Sequence, residues 1–162
     1  MKRSKYLLKR VENLYNSIEI TDGEQMIQGY GMARGKVILM GENSVVYGMP
    51  AIALPFLDKG VECYVQEYGD GIFLETTYYN GDLDDSPELL WGIKHLIIET
   101  LRVLNKEDTN LKIIINSRIP AQRGLGSSAA VSVAVVRALF DAFEIKLNDD
   151  NSHVFAYRNS SF

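Results

Sequence analysis

The chain has 162 residues, 46% of them hydrophobic and 10% aromatic, a composition that suits one globular core and lies outside the disordered range. A formal net charge of −4 and a sequence pI near 5.2 exclude a general nucleic-acid binder, which needs a basic stripe to displace counterions from phosphate. One cysteine and two histidines exclude a structural zinc site, and no apolar run approaches the roughly 18 residues of a spanning helix, so a cytoplasmic protein acting on a small-molecule substrate is expected, with no nucleic acid and no membrane as partner.

Lys2, Arg3, Lys5, Lys9 and Arg10 surround Leu7, Val11 and Leu14 at helical spacing, which predicts an amphipathic helix packed on its own domain. Thr21-Asp22-Gly23 marks a turn, and Met26 to Met32 predicts a first strand. Lys36-Val37-Ile38-Leu39-Met40 is a short apolar run between Gly35 and Gly41, which predicts a strand buried on both faces.

Val61 to Glu67 and Ile72 to Tyr79 predict two strands joined as a hairpin through Gly69-Asp70-Gly71. Cys63 shares a face with Val61 and Val65, which makes it a small core residue rather than a nucleophile. Ser86 as N-cap, Pro87 at the first helical position and Glu88 in the first turn open a helix whose Leu90, Ile93, Ile97, Leu101 and Leu104 share one face.

Leu111 to Ile115 predicts a β-branched strand. From Ser127 to Phe140 the chain leaves almost no polar face, which predicts a helix buried nearly all round. From Asn148 onward the sequence turns polar and loses its periodicity.

Between that last strand and that helix lies Pro120-Ala121-Gln122-Arg123-Gly124-Leu125-Gly126-Ser127-Ser128-Ala129-Ala130. Glycines let a backbone approach an anion with its N–H groups turned inward, and a helix N-terminus adds unpaired donors and partial positive charge. The segment therefore reads as a phosphate cradle. Ser127 and Ser128 suit it as hydroxyl donors and as oxygen ligands for the Mg²⁺ that accompanies a nucleotide, whereas plain helix capping needs one serine and no paired glycines. A P-loop is excluded, because Tyr30 stands where that motif requires glycine before Gly35-Lys36. Gly124 to Ala129 also fits the dinucleotide fingerprint formally, but Pro120 lies in a long turn before it and no acid-bearing strand follows about 20 residues on. A dinucleotide-binding module is the alternative from another class.

A second constellation is Gly35-Lys36, the apolar run, then Gly41-Glu42-Asn43-Ser44-Val45-Val46-Tyr47-Gly48. A lysine at a strand end can neutralise phosphate charge or polarise a hydroxyl, though strand ends also carry charges for solubility alone.

Together, Gly35-Lys36, the apolar strand, Gly41-Glu42, Val45-Val46-Tyr47-Gly48, Pro50-Ala51-Ile52-Ala53 and the later Pro120 with Gly124 to Ala130 resemble the GHMP kinases, from about Ala33 to about Asp150. The resemblance implies an α/β (α+β) fold, the GHMP kinase N-terminal domain, of the ribosomal-protein S5 domain 2 type. It implies phosphoryl transfer from ATP to a small alcohol with Mg²⁺, mevalonate being the expected acceptor and a sugar or another small alcohol the alternative. It further implies that Gly124, Leu125, Gly126, Ser127 and Ser128 hold the ATP phosphates and that Ser128 is a Mg²⁺ ligand. Lys36 becomes the catalytic residue near the acceptor hydroxyl and the transferred phosphoryl, and Glu42 and Asn43 become polar residues of the substrate side. Arg34 stands where the family has proline, and Asn43 where it has histidine by the acceptor pocket.

The implied organisation is an N-terminal extension over 1–32, an ATP-binding domain over 33–150 and an irregular tail over 151–162. The family's C-terminal domain, with its catalytic aspartate, second Mg²⁺ ligand and third glycine-rich motif, is absent from the sequence. A truncated or frameshifted chain, inactive alone, is therefore expected, with a non-catalytic nucleotide-binding remnant as the alternative. A homodimer, or a second chain supplying the missing half, is the expected association.

Overall fold

The computed structural model describes residues 27–40, 47–119 and 126–147, with backbone only at 57 and 58. The amphipathic segment around Leu7, the turn at 21–23, Glu42, Asn43, Gly124, Leu125 and the tail from 148 onward lie outside the described residues.

Strands β1 (Gln28–Met40), β2 (Ile52–Glu67), β3 (Ile72–Glu75), β4 (Asn80–Asp82) and β5 (Leu111–Ser117) form one sheet of order β1-β2-β5-β3-β4. Neighbours run antiparallel except β3 and β5, which are parallel. Helix α1 (Trp91–Leu104) lies in the crossover from β4 to β5, and helix α2 (Ser127–Ala142) follows β5.

The hairpin expected between Val61–Glu67 and Ile72–Tyr79 does not form, because β5 lies between those segments and pairs Ile113 with Val65 on one side and with Leu74 on the other. The turn chemistry itself is correct: Gly71 takes a φ of 66°, and its N–H donates to Asn110 Oδ1 at 3.0 Å. What a local turn signal lacks is the pairing. Leu111, Ile113 and Ile115 are all buried, so β5 gains most by sitting in the middle of the sheet with strands on both sides.

The expected first strand and the expected strand over Lys36–Met40 are one element, β1. Its second half is not buried on both faces, since Leu39 is 57% and Met40 68% exposed. The reason is topological. The pairing of β5 with β2 ends at Val61, whereas β1 and β2 stay paired from Lys36↔Pro55 to Met40↔Ile52, so their far ends form an arm projecting past the sheet.

Helix α1 starts later than its cap signals suggest. Ser86 turns its hydroxyl back to Leu83 O at 2.6 Å, and Pro87 precedes a 3-10 turn over Glu88–Leu90 that leads into the α-helix. The helix ends at Asn105, which takes the left-handed conformation at φ 54°, as a short polar side chain tolerates.

Alternation on β2 and β5 puts Val61, Cys63, Val65, Leu111, Ile113 and Ile115 into one core with Leu96, Ile97 and Leu101 of α1 and Ala134, Val135, Ala138 and Leu139 of α2. Each large aliphatic side chain so buried contributes about 1.5–3 kcal/mol. Thr100 is buried among them with its hydroxyl donating to Leu96 O at 2.7 Å, so its burial leaves no polar atom unpaired. Cys63 is fully enclosed, and that burial pushes its thiol pKa well above the usual thiol range, confirming it as core.

Helix α2 lies on β1 with almost no side chain between them. A Cβ at Gly29 would collide with the Ala138 carbonyl and the Ala142 amide, and one at Gly31 with the Ala134 carbonyl and the Ala138 amide. Only glycine permits this approach. Because β1 is the edge strand, its outer backbone groups need partners from outside the sheet. Asp141 Oδ2 accepts from Tyr30 N–H at 2.8 Å, and Arg137 Nη1 donates to the Met32 carbonyl at 2.9 Å.

Candidate nucleotide site

The N-terminus of α2 is built by one residue. Gly126 takes φ 65° and ψ 32° as the N-cap, a left-handed conformation that costs other residues about 1–2 kcal/mol. The first bond of the helical ladder runs from Ala130 N–H to Gly126 O at 3.0 Å. The N–H groups of Ser127, Ser128 and Ala129 thus lie ahead of the ladder, carrying the positive end of the helix dipole. Ser128 and Ala129 are exposed and Ser127 half-buried, and the first turn holds no acidic residue.

Lys36 arrives at this terminus from β1. A Cβ at Gly126 would sit 3.2 Å from Lys36 Cγ, 3.6 Å from Cε and 3.9 Å from Cδ, so the aliphatic stem of the lysine runs across the glycine. The register shift of β1 between Arg34 and Lys36 belongs to this placement, since a bulge re-aims the side chains that follow it. An ammonium brought to the positive end of a helix is unfavourable unless an anion sits between them. Backbone donors ahead of the helical ladder, two serines in the first turn and a lysine stem beside them suit a phosphate group. For a divalent cation the fit is partial: Ser128 offers one hard oxygen, and the remaining ligands would come from phosphates and water.

Of the residues expected at the site, the structure brings Lys36, Gly126, Ser127 and Ser128 together, and Gly124, Leu125, Glu42 and Asn43 are outside the described residues. The sequence reading passed over Arg137 and Asp141. The signal was present: they are the only charges on an otherwise apolar helix and stand four apart, on one face. A hollow of about 500 Å³ lined by Tyr30, Arg137, Phe140, Asp141 and Leu147 lies at the other end of α2 and is unrelated to Gly126.

The dinucleotide alternative fails on topology. That fingerprint belongs to the first turn of a parallel, doubly wound sheet, whereas β5, which leads to this loop, runs antiparallel to β2 in a mostly antiparallel sheet. Among the described residues no helix is long and apolar enough to cross a membrane.

Residues 93–160 match the family model described as GHMP kinases N terminal domain. The chain is similar to the mevalonate kinase of Pyrococcus abyssi, with 34% identity over an alignment that covers 73% of this chain and 40% of that protein. Among solved structures it is similar to the Methanococcus jannaschii mevalonate kinase, at TM-score 0.71 and 29% identity, covering 86% of this chain and 47% of that one. It is similar also to the mevalonate kinase of methicillin-resistant Staphylococcus aureus, at TM-score 0.61 and 35% identity over 82% of this chain and 44% of that one. The chain spans about 40% of the length of the curated relatives it matches.

Proposed function

We propose, for a chain that carries the N-terminal domain of the GHMP kinases, that it binds Mg·ATP at the N-terminus of α2 and belongs to an ATP-dependent kinase of a small alcohol, mevalonate in the first place. The observation that carries this reading is the Lys36 stem lying on Gly126, which joins the two motifs into one anion-seeking site. The similarity to mevalonate kinases at 34% and 35% identity supports mevalonate as acceptor.

In this reading the backbone N–H groups of Gly126, Ser127 and Ser128, with Gly124 and Leu125 before them, hold the nucleotide's phosphates. Ser128 offers its hydroxyl oxygen to Mg²⁺, and Glu42 and Asn43 face the acceptor. Lys36 neutralises charge on the phosphoryl being transferred and holds the acceptor hydroxyl near it. Bound Mg·ATP supplies the phosphoryl group and most of the charge neutralisation, and the chain supplies position. The domain organisation we propose is an extension ahead of β1, an ATP-binding domain that begins with β1 at Gln28 rather than at 33, because a boundary after 32 would cut that strand, and runs to 150, and a separate tail over 151–162, in a cytoplasmic setting. Turnover is assigned to a protein of the relatives' length, of which this chain spans about 40%.

Calorimetric titration with Mg·ATP and with NAD tests this reading. Saturable binding of Mg·ATP and none of NAD is expected, with Ser128→Ala weakening the former. No Mg·ATP binding, or binding indifferent to Ser128→Ala, would contradict it.

A further inference from the structure

We infer that the hollow at the C-terminal end of α2 is the seat of the chain's own N-terminal segment, with the apolar row Leu7, Val11, Leu14 and Ile18 laid into it. The inference is independent of the nucleotide reading.

The hollow, of about 500 Å³, is walled by Tyr30 of β1, by Phe140 and Asp141 of α2 and by Ile145 and Leu147 just past that helix. Its apolar wall is incompletely covered: Ile145 is 39% exposed, and Tyr30 and Leu147 are half-buried. Such a wall is withdrawn from water only when something apolar fills the space in front of it. Four charges stand around it, Arg137, Asp141, Glu144 and Lys146, two of each sign. What they leave uncancelled is the negative end of the α2 dipole, whose last turn carries no basic residue. The hollow therefore suits an apolar row bordered by cations.

The occupant follows from where the chain enters the fold. β1 begins at this end of α2, since a Cβ at Gly29 would meet Ala142 and Tyr30 is itself part of the wall. Met26 precedes Tyr30 by four residues, at most about 14 Å of extended chain. Thr21-Asp22-Gly23 carries turn chemistry just before it, which sends the preceding segment back toward the same end. Ile18 stands eight residues before Met26, about 16 Å as a flexible chain, so the row is tethered at the hollow at a high effective concentration and a weak apolar contact suffices to seat it.

The row has the matching surface. Leu7, Val11, Leu14 and Ile18 recur at intervals of four, three and four, one apolar stripe about 16 Å long if helical. Arg3 and Arg10 border that stripe, while Lys5, Lys9 and Glu12 fall on the opposite face, so the seated segment brings cations to the negative end of α2 and keeps its other charges in water. The tail beyond Leu147 begins Asn148-Asp149-Asp150-Asn151, which would add acids to that helix end and offers no such row.

The test uses the whole chain. A nitroxide is attached at Lys146→Cys, where the side chain is exposed; Cys63 is fully buried and stays unmodified. It is expected to broaden the amide signals of residues 5–18 more strongly than a nitroxide at Gly69→Cys, an exposed position at the same end of the sheet. In chains without the nitroxide, the ¹³C-methyl signal of Ile145, assigned through Ile145→Val, is expected to move toward that of a solvated isoleucine in Val11→Asp and in Leu14→Asp, and to stay in place in Phe155→Asp. Equal broadening from the two labels overturns the inference, as does an Ile145 signal unmoved by both N-terminal substitutions. An Ile145 signal that responds to Phe155→Asp instead would seat the tail in the hollow, and broadening across a mixture of nitroxide-bearing and isotope-labelled chains would seat a second copy there; either result overturns it too.

Discussion

The side chain of Lys36 lies along Gly126, its Cγ 3.2 Å from where a Cβ on that glycine would stand, although 90 residues separate the two in the chain. A lysine just past a register shift inside an edge strand and a glycine in the left-handed region at a helix start each have ordinary explanations. In contact they make a point of positive potential with open donors, and several consequences follow from that contact and from the packing that produces it.

Gly126→Ala is expected to lower stability by about 1–2 kcal/mol, because the site needs positive φ, and to press its methyl on the Lys36 stem. Urea unfolding measures the first effect and Mg·ATP titration the second. Full stability together with full affinity would show that the left-handed cap is unnecessary.

Gly31→Ala is expected to destabilise by about 3 kcal/mol, since the new methyl meets the Ala134 carbonyl and the Ala138 amide and the helix must lift off the strand. Gly69→Ala, where a Cβ meets nothing within 4 Å, is the control. Equal unfolding midpoints for the two variants would contradict the close packing of α2 on β1.

Stability is expected to fall at alkaline pH partly through Tyr30. Burial, then Glu62 and Tyr64, push its phenol up to about 12 against the opposing pull of Arg118. The folded protein thus holds this proton more tightly than the unfolded chain, so the contribution is intact below about pH 10 and is lost as pH rises toward the folded value. Unfolding midpoints compared at about pH 9 and about pH 11 should drop less in Tyr30→Phe than in the native chain. Identical drops would remove Tyr30 from the account.

The arm of β1 and β2 is expected to cause self-association. The pairs Val37↔Leu54 and Met40↔Ile52 each place their members side by side, and Met40, Ile52 and Leu54 are all at least half exposed. Exposed apolar strands of this kind associate. Met40→Lys with Leu54→Lys should reduce the concentration-dependent mass seen by sedimentation, and an unchanged mass would place the contact elsewhere.

Much of the fold was legible because its signals are local. Of the apolar row Leu90, Ile93, Ile97, Leu101 and Leu104 all but the partly buried Ile93 are buried, as is the alternation Val61, Cys63, Val65, whereas α2, expected to be buried nearly all round, buries Ala130, Ala134, Val135, Val136, Ala138, Leu139 and Phe140 and leaves Ala129 exposed. The pairing of β5 between β2 and β3 was not legible, since Gly69-Asp70-Gly71 encodes a turn and not the identity of the neighbouring strand. The exposure of Leu39 and Met40 was misread for a related reason: an apolar run looks the same whether it lies in the sheet or projects beyond it. At the candidate site, Lys36 and the Gly126-Ser127-Ser128 segment were legible as chemistry. Their contact was not, because it depends on how far β1 runs along α2, which the seating of Gly29 and Gly31 on that helix fixes only in three dimensions.

The most direct measurement is Mg·ATP affinity in the native chain and in Lys36→Met, which keeps an apolar stem on Gly126 and removes only the charge. The account predicts saturable binding by the native chain and a loss of about tenfold, about 1.4 kcal/mol, in the variant, with the unfolding midpoint unchanged. Equal affinity of the two proteins would contradict it, because the lysine would then lie at the helix N-terminus without taking part in holding the phosphates.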